Sequence, residues 1–346
     1  MEVVGSEPKV DTEQANERPD FGAAQHVRRH GRMIRLIGRR VAAALFTLLL
    51  VSVIVFLISQ VLPGDIGRTI LGPYATAEQV ARLNEQLGAN DPLIARYGNW
   101  ISSFVIGDWG SSHALSVAVR PLVLERFVNS LILGTYAFVI VVVISILLGV
   151  VAALGEGKLR DRAVSIAGFS LIAMPEFVSG TVLLVVFAVR LQWFPVVSTV
   201  PSLSPSDIVT QLTLPAVPVM LIMFGYISRM TREGTVDVLH TNYTRTAFLK
   251  GLPRRTVIRR HVLRNAMLPT VSVVMLQFGY MVGGLAVTEI LFGYPGIGKL
   301  AVDSAAANDL PVLSACVLVI AAFYMTMNVI ADVVYAALNP QIRASS

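Results

Sequence analysis

The sequence predicts an all-α integral membrane protein with six transmembrane helices and both termini in the cytoplasm. Three observations carry that expectation: few charges, six apolar stretches of spanning length, and a lopsided distribution of Lys and Arg. Of 346 residues, 54% are hydrophobic and only 14% charged, whereas a soluble domain carries about 25% charged residues. Lipid has to be the main solvent of such a chain.

A spanning helix needs about 20 largely apolar residues, because the hydrocarbon core is about 30 Å thick and a helix rises about 1.5 Å per residue. Residues 41–61, 131–154, 163–189, 208–228, 266–288 and 310–338 meet that requirement. The second has no charged residue at all. The third and last are long enough to tilt or overhang the bilayer. Pro215 and Pro218 predict a kink in the fourth.

With the N-terminus inside, the inner segments hold 21 of the 28 Lys and Arg residues and the outer segments 7. The outer segments are no shorter, so the positive-inside rule places both termini in the cytoplasm. The net charge of +6 follows from this topology. Basic residues that alternate with spans form no single patch, which argues against nucleic-acid binding. Residues 1–30 are polar and mixed in charge and read as a disordered cytoplasmic tail. No small-residue cleavage site follows, so the first span reads as an uncleaved anchor.

Residues 62–130 are expected to form an extracytoplasmic platform with helices of its own. Thr76 and Gln79 fit a capping box ahead of a helix that stops at Gly88. Asp91 and Pro92 start a second helix, ended by Gly107, with Leu93, Ile94, Tyr97, Trp100, Ile101 and Phe104 on one face. A lid packed on the bundle and a docking surface for an external partner are both compatible with this pattern.

The search for chemistry mostly excludes. The five histidines are scattered, with no H-E-x-x-H, and no G-x-S-x-G occurs. No metal or cofactor site is expected, and Cys316, the single cysteine, reads as packing inside the last span. Gly293 to Lys299, GYPGIGK, matches G-x-x-x-x-G-K, but Leu300 stands where a phosphate loop needs Ser or Thr, and no strand precedes it. Its Gly and Pro instead predict a tight re-entrant turn after Glu289.

Ionisable residues inside spans are costly and are therefore functional candidates. Glu176 follows Pro175 near the middle of the third span. It either faces a polar pathway or fixes helix packing by a hydrogen bond. Asn328 and Asp332, one turn apart, read as helix-to-helix hydrogen-bonding groups.

The most specific constellation lies between the fourth and fifth spans, in YTRTAFLKGLPRRTVIRRHVLRNAMLP, Tyr243 to Pro269. Ala247 and Gly251 are small residues one turn apart, a spacing that lets another protein approach the backbone closely. Pro253 can start a second helix. On it Val257, Ile258, Val262 and Ala266 face one way, and Arg255, Arg259, Arg260 and Arg264 the other. Spacing alone also fits a helix lying on lipid headgroups.

This stretch resembles the EAA loop of ABC importer permeases, in the longer form of the dipeptide, oligopeptide and nickel permease family. Arg245, Thr246, Ala247, Lys250, Gly251 and Leu252 match the R-T-A-x-x-K-G-L core, and Arg264, Asn265, Ala266 and Pro269 match the R-N-A-x-x-P end. LPGD (62–65), GDWGSS (107–112), MPEF (174–177), SRMTR (228–232), TEILFGYPGIGKL and NVIADVVYAALNPQIR also resemble the family, in the right order over residues 34–340. Glu176 departs from it, since the family usually has a small polar residue there. Asn339-Pro340-Gln341 replaces the usual Asp-Pro-Arg, and the tail is longer.

The resemblance implies a type I ABC importer permease that has no catalytic site of its own and forms half of a path for di- or oligopeptides. Nickel chelates and glutathione are alternative cargoes of the same class. It implies a second, homologous permease chain, an extracytoplasmic substrate-binding protein, and two cytoplasmic ATPase subunits or domains that carry ATP and Mg. Their docking site would be an EAA-type coupling loop at residues 241–269, with Tyr243, Arg245, Thr246, Ala247, Lys250, Gly251 and Leu252 as contact residues. Pro175 and Glu176 are the candidate pathway residues. A rival class, an ATP-independent secondary transporter or channel, calls for an internal repeat or a relay of intramembrane charges, and neither is visible in the sequence.

Overall fold

The computed structural model describes residues 21–61, 74–86, 92–202 and 204–338. Among these, every regular element is helical, with one isolated bridge between Ser111 and Ala118. The segment LPGD, the cap at Asp91, the stop at Gly88 and Asn339-Pro340-Gln341 lie outside the described residues, as do residues 1–20 of the expected tail.

Helix α1 runs Phe21–Val61, so it starts inside the stretch expected to be a disordered tail. Good helix formers at Ala23, Ala24, Gln25, Arg28 and Arg29, with no proline among them, account for the earlier start. Helix α2 is Ala77–Gln86 and α3 is Leu93–Ile106. The capping box ahead of α2 is formed: the Thr76 N–H donates to Gln79 Oε1 at 2.9 Å, and the Gln79 N–H to Thr76 Oγ1 at 3.3 Å. Gly107 ends α3 in the left-handed region at φ 101°. Of the expected apolar face, Tyr97 and Trp100 pack their rings against Phe56 of α1, and Phe104 packs in turn on Trp100. Ile94, however, is 87% exposed.

The bundle follows. Helix α4 is Val119–Ala153, α5 Leu159–Ala173, and α6 Glu176–Leu183, which continues as a π-helix over Leu184–Arg190. Helix α7 is Pro205–Leu239 and contains Pro215 and Pro218. Then come α8 (Asn242–Leu249), α9 (Arg254–Thr256), a π-helical turn over Val257–Val262, and α10 (Leu263–Gly284). The chain closes with α11 (Ala286–Leu291), α12 (Ile297–Ala306) and α13 (Leu310–Leu338).

By length and composition, five helical stretches among the described residues are able to cross a membrane. The α5–α6 pair makes a sixth only if it crosses as one broken span, because it is bent by 102°. This corrects the expectation of one continuous third span over 163–189. A residue before proline is pushed out of the helical region. Met174 (ψ 123°) and Pro175 (ψ 134°) are both extended, so the chain turns where a straight helix was expected.

Helix α7 is the hub, packed against α4, α5 and α10. Lipid gives helices no hydrophobic reason to associate, so close packing of small residues has to hold them. A β-carbon on Gly149 of α4 would sit 2.6 Å from the Ser228 carbonyl oxygen of α7. One on Gly225 would sit 2.6 Å from the Gly168 carbonyl of α5, and one on Gly234 would sit 2.8 Å from the Ala266 carbonyl of α10. The central core joins Leu133 and Ala137 of α4 with Leu212 and Ile227 of α7, Val282 of α10 and Cys316 of α13. Leu45, Phe46, Leu49 and Leu50 of α1, and Val143 and Leu147 of α4, stay exposed on the exterior, as side chains solvated by lipid do.

Candidate functional site

At one end of the bundle the chain leaves α7, makes α8 and returns into α10, and Thr241 and Thr244 set that corner. Both hydroxyls donate to the Val238 carbonyl, at 2.7 and 2.9 Å, and so satisfy an acceptor at the last turn of α7. Ala247 points inward, 7% exposed, against Val257, Val262 and Ala266. The Asn265 side-chain amide donates to the Tyr243 hydroxyl at 3.0 Å. Helix α8 and the start of α10 therefore form one packed unit.

Gly251 closes the helix by a Schellman motif. Its own N–H donates to the Phe248 carbonyl (3.0 Å), and the Leu252 N–H donates to the Ala247 carbonyl (3.4 Å). The geometry requires a left-handed residue, and Gly251 has φ 75°. The two small residues thus have separate causes. Ala247 fits an internal contact, so it shares no outward small-residue face with Gly251, which serves the turn. What α8 does present is Tyr243, Arg245, Thr246 and Lys250, together with Phe248 and Leu249, and Leu252 follows them in the turn. Leu249 is 80% exposed. Phe248 and Leu249 were not among the expected contact residues. Their signal in the sequence was an apolar pair beside two positions, Thr244 and Ala247, that face the protein.

Behind this face, Arg232 of α7 makes a bidentate pair with Asp161 of α5, at 2.5 and 2.8 Å. Asp161 is buried and also accepts the Gly157 N–H at 2.9 Å. His240 contacts Glu156 at 2.9 Å. These links fasten the turn between α4 and α5 to the end of α7 that leads into α8. The partners lie 71 and 84 residues apart, so no local pattern could have revealed them.

The remaining ionisable candidates lie elsewhere. Glu176 is the first residue of α6, where the helix dipole favours a carboxylate. Its Oε1 is buried without a hydrogen-bond partner. It is not brought next to the Tyr243–Leu252 turn. Instead α6 packs on α7 and α11, with Gly180 close to Pro218 and Leu291. Asp332 pairs with Arg40 of α1 at 3.2 Å, the helix-to-helix link expected of it. Asn328 donates to the Tyr324 carbonyl of its own helix.

The GYPGIGK turn does gather donors around an acceptor, but the acceptor is a carboxyl group of the chain itself. Glu289 is fully buried and accepts from the Ser130 hydroxyl and from the Lys299 N–H at 3.0 Å. The Ile297 N–H donates to Ser130 Oγ at 2.8 Å, and the Lys299 ammonium pairs with Asp303. Tyr294 donates its hydroxyl to the Asn129 carbonyl at 2.9 Å, and burial pushes that phenol above its ordinary range. No group of three or more metal-ligating side chains occurs among the described residues.

Residues 145–344 match the family described as binding-protein-dependent transport system inner membrane component, and residues 33–130 match its N-terminal region. The chain belongs to this family. It is a multi-pass inner-membrane permease subunit of an ABC importer. Similar proteins include the glutathione transport system permease protein GsiC of Escherichia coli strain K12, 36% identical over 311 residues that cover 90% of this permease and 99% of that one. The GsiC of Shigella boydii serotype 4 is 38% identical over the same lengths. A crystal structure of an amino acid ABC transporter with histidines covers 64% of this permease at 16% identity and a TM-score of 0.44, a likeness too weak to argue from.

Proposed function

We propose that this permease crosses the inner membrane six times with both termini inside, the α5–α6 pair forming one broken span, and encloses half of a path for small peptides. A second, homologous permease chain forms the other half. An external substrate-binding protein delivers cargo, and two ATPase subunits or domains dock on Tyr243–Leu252. ATP and Mg belong to those partners. This chain binds no cofactor and catalyses no bond chemistry.

The observation that carries the coupling role is the construction of α8. It is exposed on its outer face through Phe248, Leu249 and Lys250, and locked to α7 and α10 on its inner face through Thr244, Ala247 and Tyr243. A push on such an element moves two spans as a rigid body rather than bending a loop, which is how closure of an ATPase dimer would switch the path. Glu176, an ionisable group within the α5–α6 pair whose Oε1 is buried without a hydrogen-bond partner, supports Pro175 and Glu176 as pathway residues. The relatives named for glutathione, a tripeptide, favour a short peptide cargo, and glutathione is the specific second reading.

Copurification and uptake test this together. Tagged permease is expected to bring down an ATPase, and vesicles holding the assembled importer and its binding protein to accumulate labelled glutathione or dipeptide only with ATP. Uptake that survives ATP depletion, with no ATPase retained, would return the chain to the secondary-transporter class.

A further inference from the structure

The turn between α8 and α10 has a second face. Over Val257–Val262 the backbone is π-helical, with hydrogen bonds spaced five residues apart, so the turn is wider than in an α-helix and residues five apart fall on the same side. Val257 and Val262 obey that spacing and are both fully buried against Ala247 and Ala266. In an α-helix, residues five apart would be rotated by about 140°. The other side of the turn carries Arg259 and Arg260, with Arg255 of α9 before it and Arg264 of α10 after it. These four arginines and Thr256 line an open cavity of about 500 Å³.

Among the described residues no ion pair joins a carboxylate to any of the four; Asp161 pairs with Arg232, Glu156 with His240, and Glu233 with Arg229. Four like charges in one cavity repel unless an anion joins them, and guanidinium forks match phosphate oxygens two at a time. Arg264 is the second residue of the apolar helix α10, so the cavity sits where a span begins, at headgroup level. A soluble anion has no reason to be collected there.

We propose that Arg255, Arg259, Arg260 and Arg264 bind the phosphate of an anionic phospholipid headgroup, and that the bound lipid holds the Val257–Val262 turn in register behind the coupling helix. The site rests on the cytoplasmic placement of this turn. Basic residues near an anionic leaflet are worth enough that each arginine lost should weaken lipid retention about fivefold.

The test uses the assembled importer in nanodiscs of phosphatidylcholine with or without phosphatidylglycerol, with retained lipid read by native mass spectrometry and transport-coupled ATP hydrolysis read alongside. Wild type should retain phosphatidylglycerol and hydrolyse ATP faster in its presence. Arg259→Gln/Arg260→Gln should retain it about 25-fold less and lose the stimulation, yet still copurify with the ATPase. Arg254→Gln, outside the cavity, should match wild type. Equal retention by wild type and the double variant would overturn the site, as would an equal loss in Arg254→Gln or displacement of the lipid by inorganic phosphate at physiological concentration. Loss of the ATPase in the double variant alone would also overturn it, by assigning the arginines to that partner. Failure of wild type itself to retain an ATPase would instead sink the importer reading, which lipid retention does not measure.

Discussion

Replacing Gly251 separates two reasons for a glycine at the end of the coupling helix. A β-carbon there would meet nothing within 4 Å, so the chain itself leaves room for a side chain. The constraint is φ 75°, a left-handed conformation that costs an ordinary L-residue roughly 1–2 kcal/mol. That is a factor of about 5–30 between the native turn and its alternatives. Asn tolerates this region far better than Ala, and a β-branched residue tolerates it least. ATP-driven uptake by reconstituted importer should therefore fall in the order Gly251→Asn, close to wild type, then Gly251→Ala, then Gly251→Val, with membrane insertion unchanged in all three. If Gly251→Asn is as damaging as Gly251→Val, bulk at a docking surface sets the requirement, and the argument from backbone conformation is refuted.

Removing Asp161 leaves Arg232 without its bidentate partner. Because a quarter of the Arg232 side chain is exposed, the expected loss is about 2 kcal/mol, less than the ~3–5 kcal/mol of a fully buried pair. Thermal unfolding in detergent should show Asp161→Ala destabilised and Asp161→Ala/Arg232→Ala less affected than the two single losses combined; simple additivity would mean the pair is not coupled. Glu289→Gln turns an acceptor into a donor facing the Lys299 N–H and should cost about 1–3 kcal/mol. Hydrogen exchange at Ile297 and Lys299 should then accelerate about tenfold or more, and unchanged protection would show that the carboxylate does not hold the turn. Glu176→Gln keeps the shape and removes the charge. If the carboxylate serves the pathway, uptake should fall while thermal stability stays within about 0.5 kcal/mol; equal uptake would remove Glu176 from the pathway.

The long apolar helices were legible because apolar length is a one-dimensional property, and the 310–338 stretch reappears as helix α13. The third span was misread because hydropathy is blind to direction: residues 163–189 are apolar throughout, yet extended backbone at Met174 and Pro175 turns the chain. At the Tyr243–Leu252 turn, the Schellman role of Gly251 and the bonds of the Thr241 and Thr244 hydroxyls to the end of α7 were not read from the sequence, and Ala247 was read as facing outward because spacing does not say which face of a short helix is covered. The π-helical register of Val257 and Val262 was also hidden, since an α-helical reading put both valines on roughly the right side. Long-range pairs such as Asp161 with Arg232, and Ser112 with Asp309, left no trace in local pattern. They depend on how separate helices meet.

The most direct test of the account is a cross-link at Leu249. Cys316 is fully buried, so Leu249→Cys adds the one exposed thiol on the described surface. In inside-out membrane vesicles containing the whole importer, a short thiol-to-amine cross-linker is predicted to join this cysteine to the ATPase, in a yield that changes with ATP. Ile94→Cys, on the outer platform, should react only with an impermeant reagent applied from outside to intact cells. If Leu249→Cys is labelled from outside, or joins no ATPase while Ile94→Cys does, the coupling helix is on the wrong side of the membrane and the account fails.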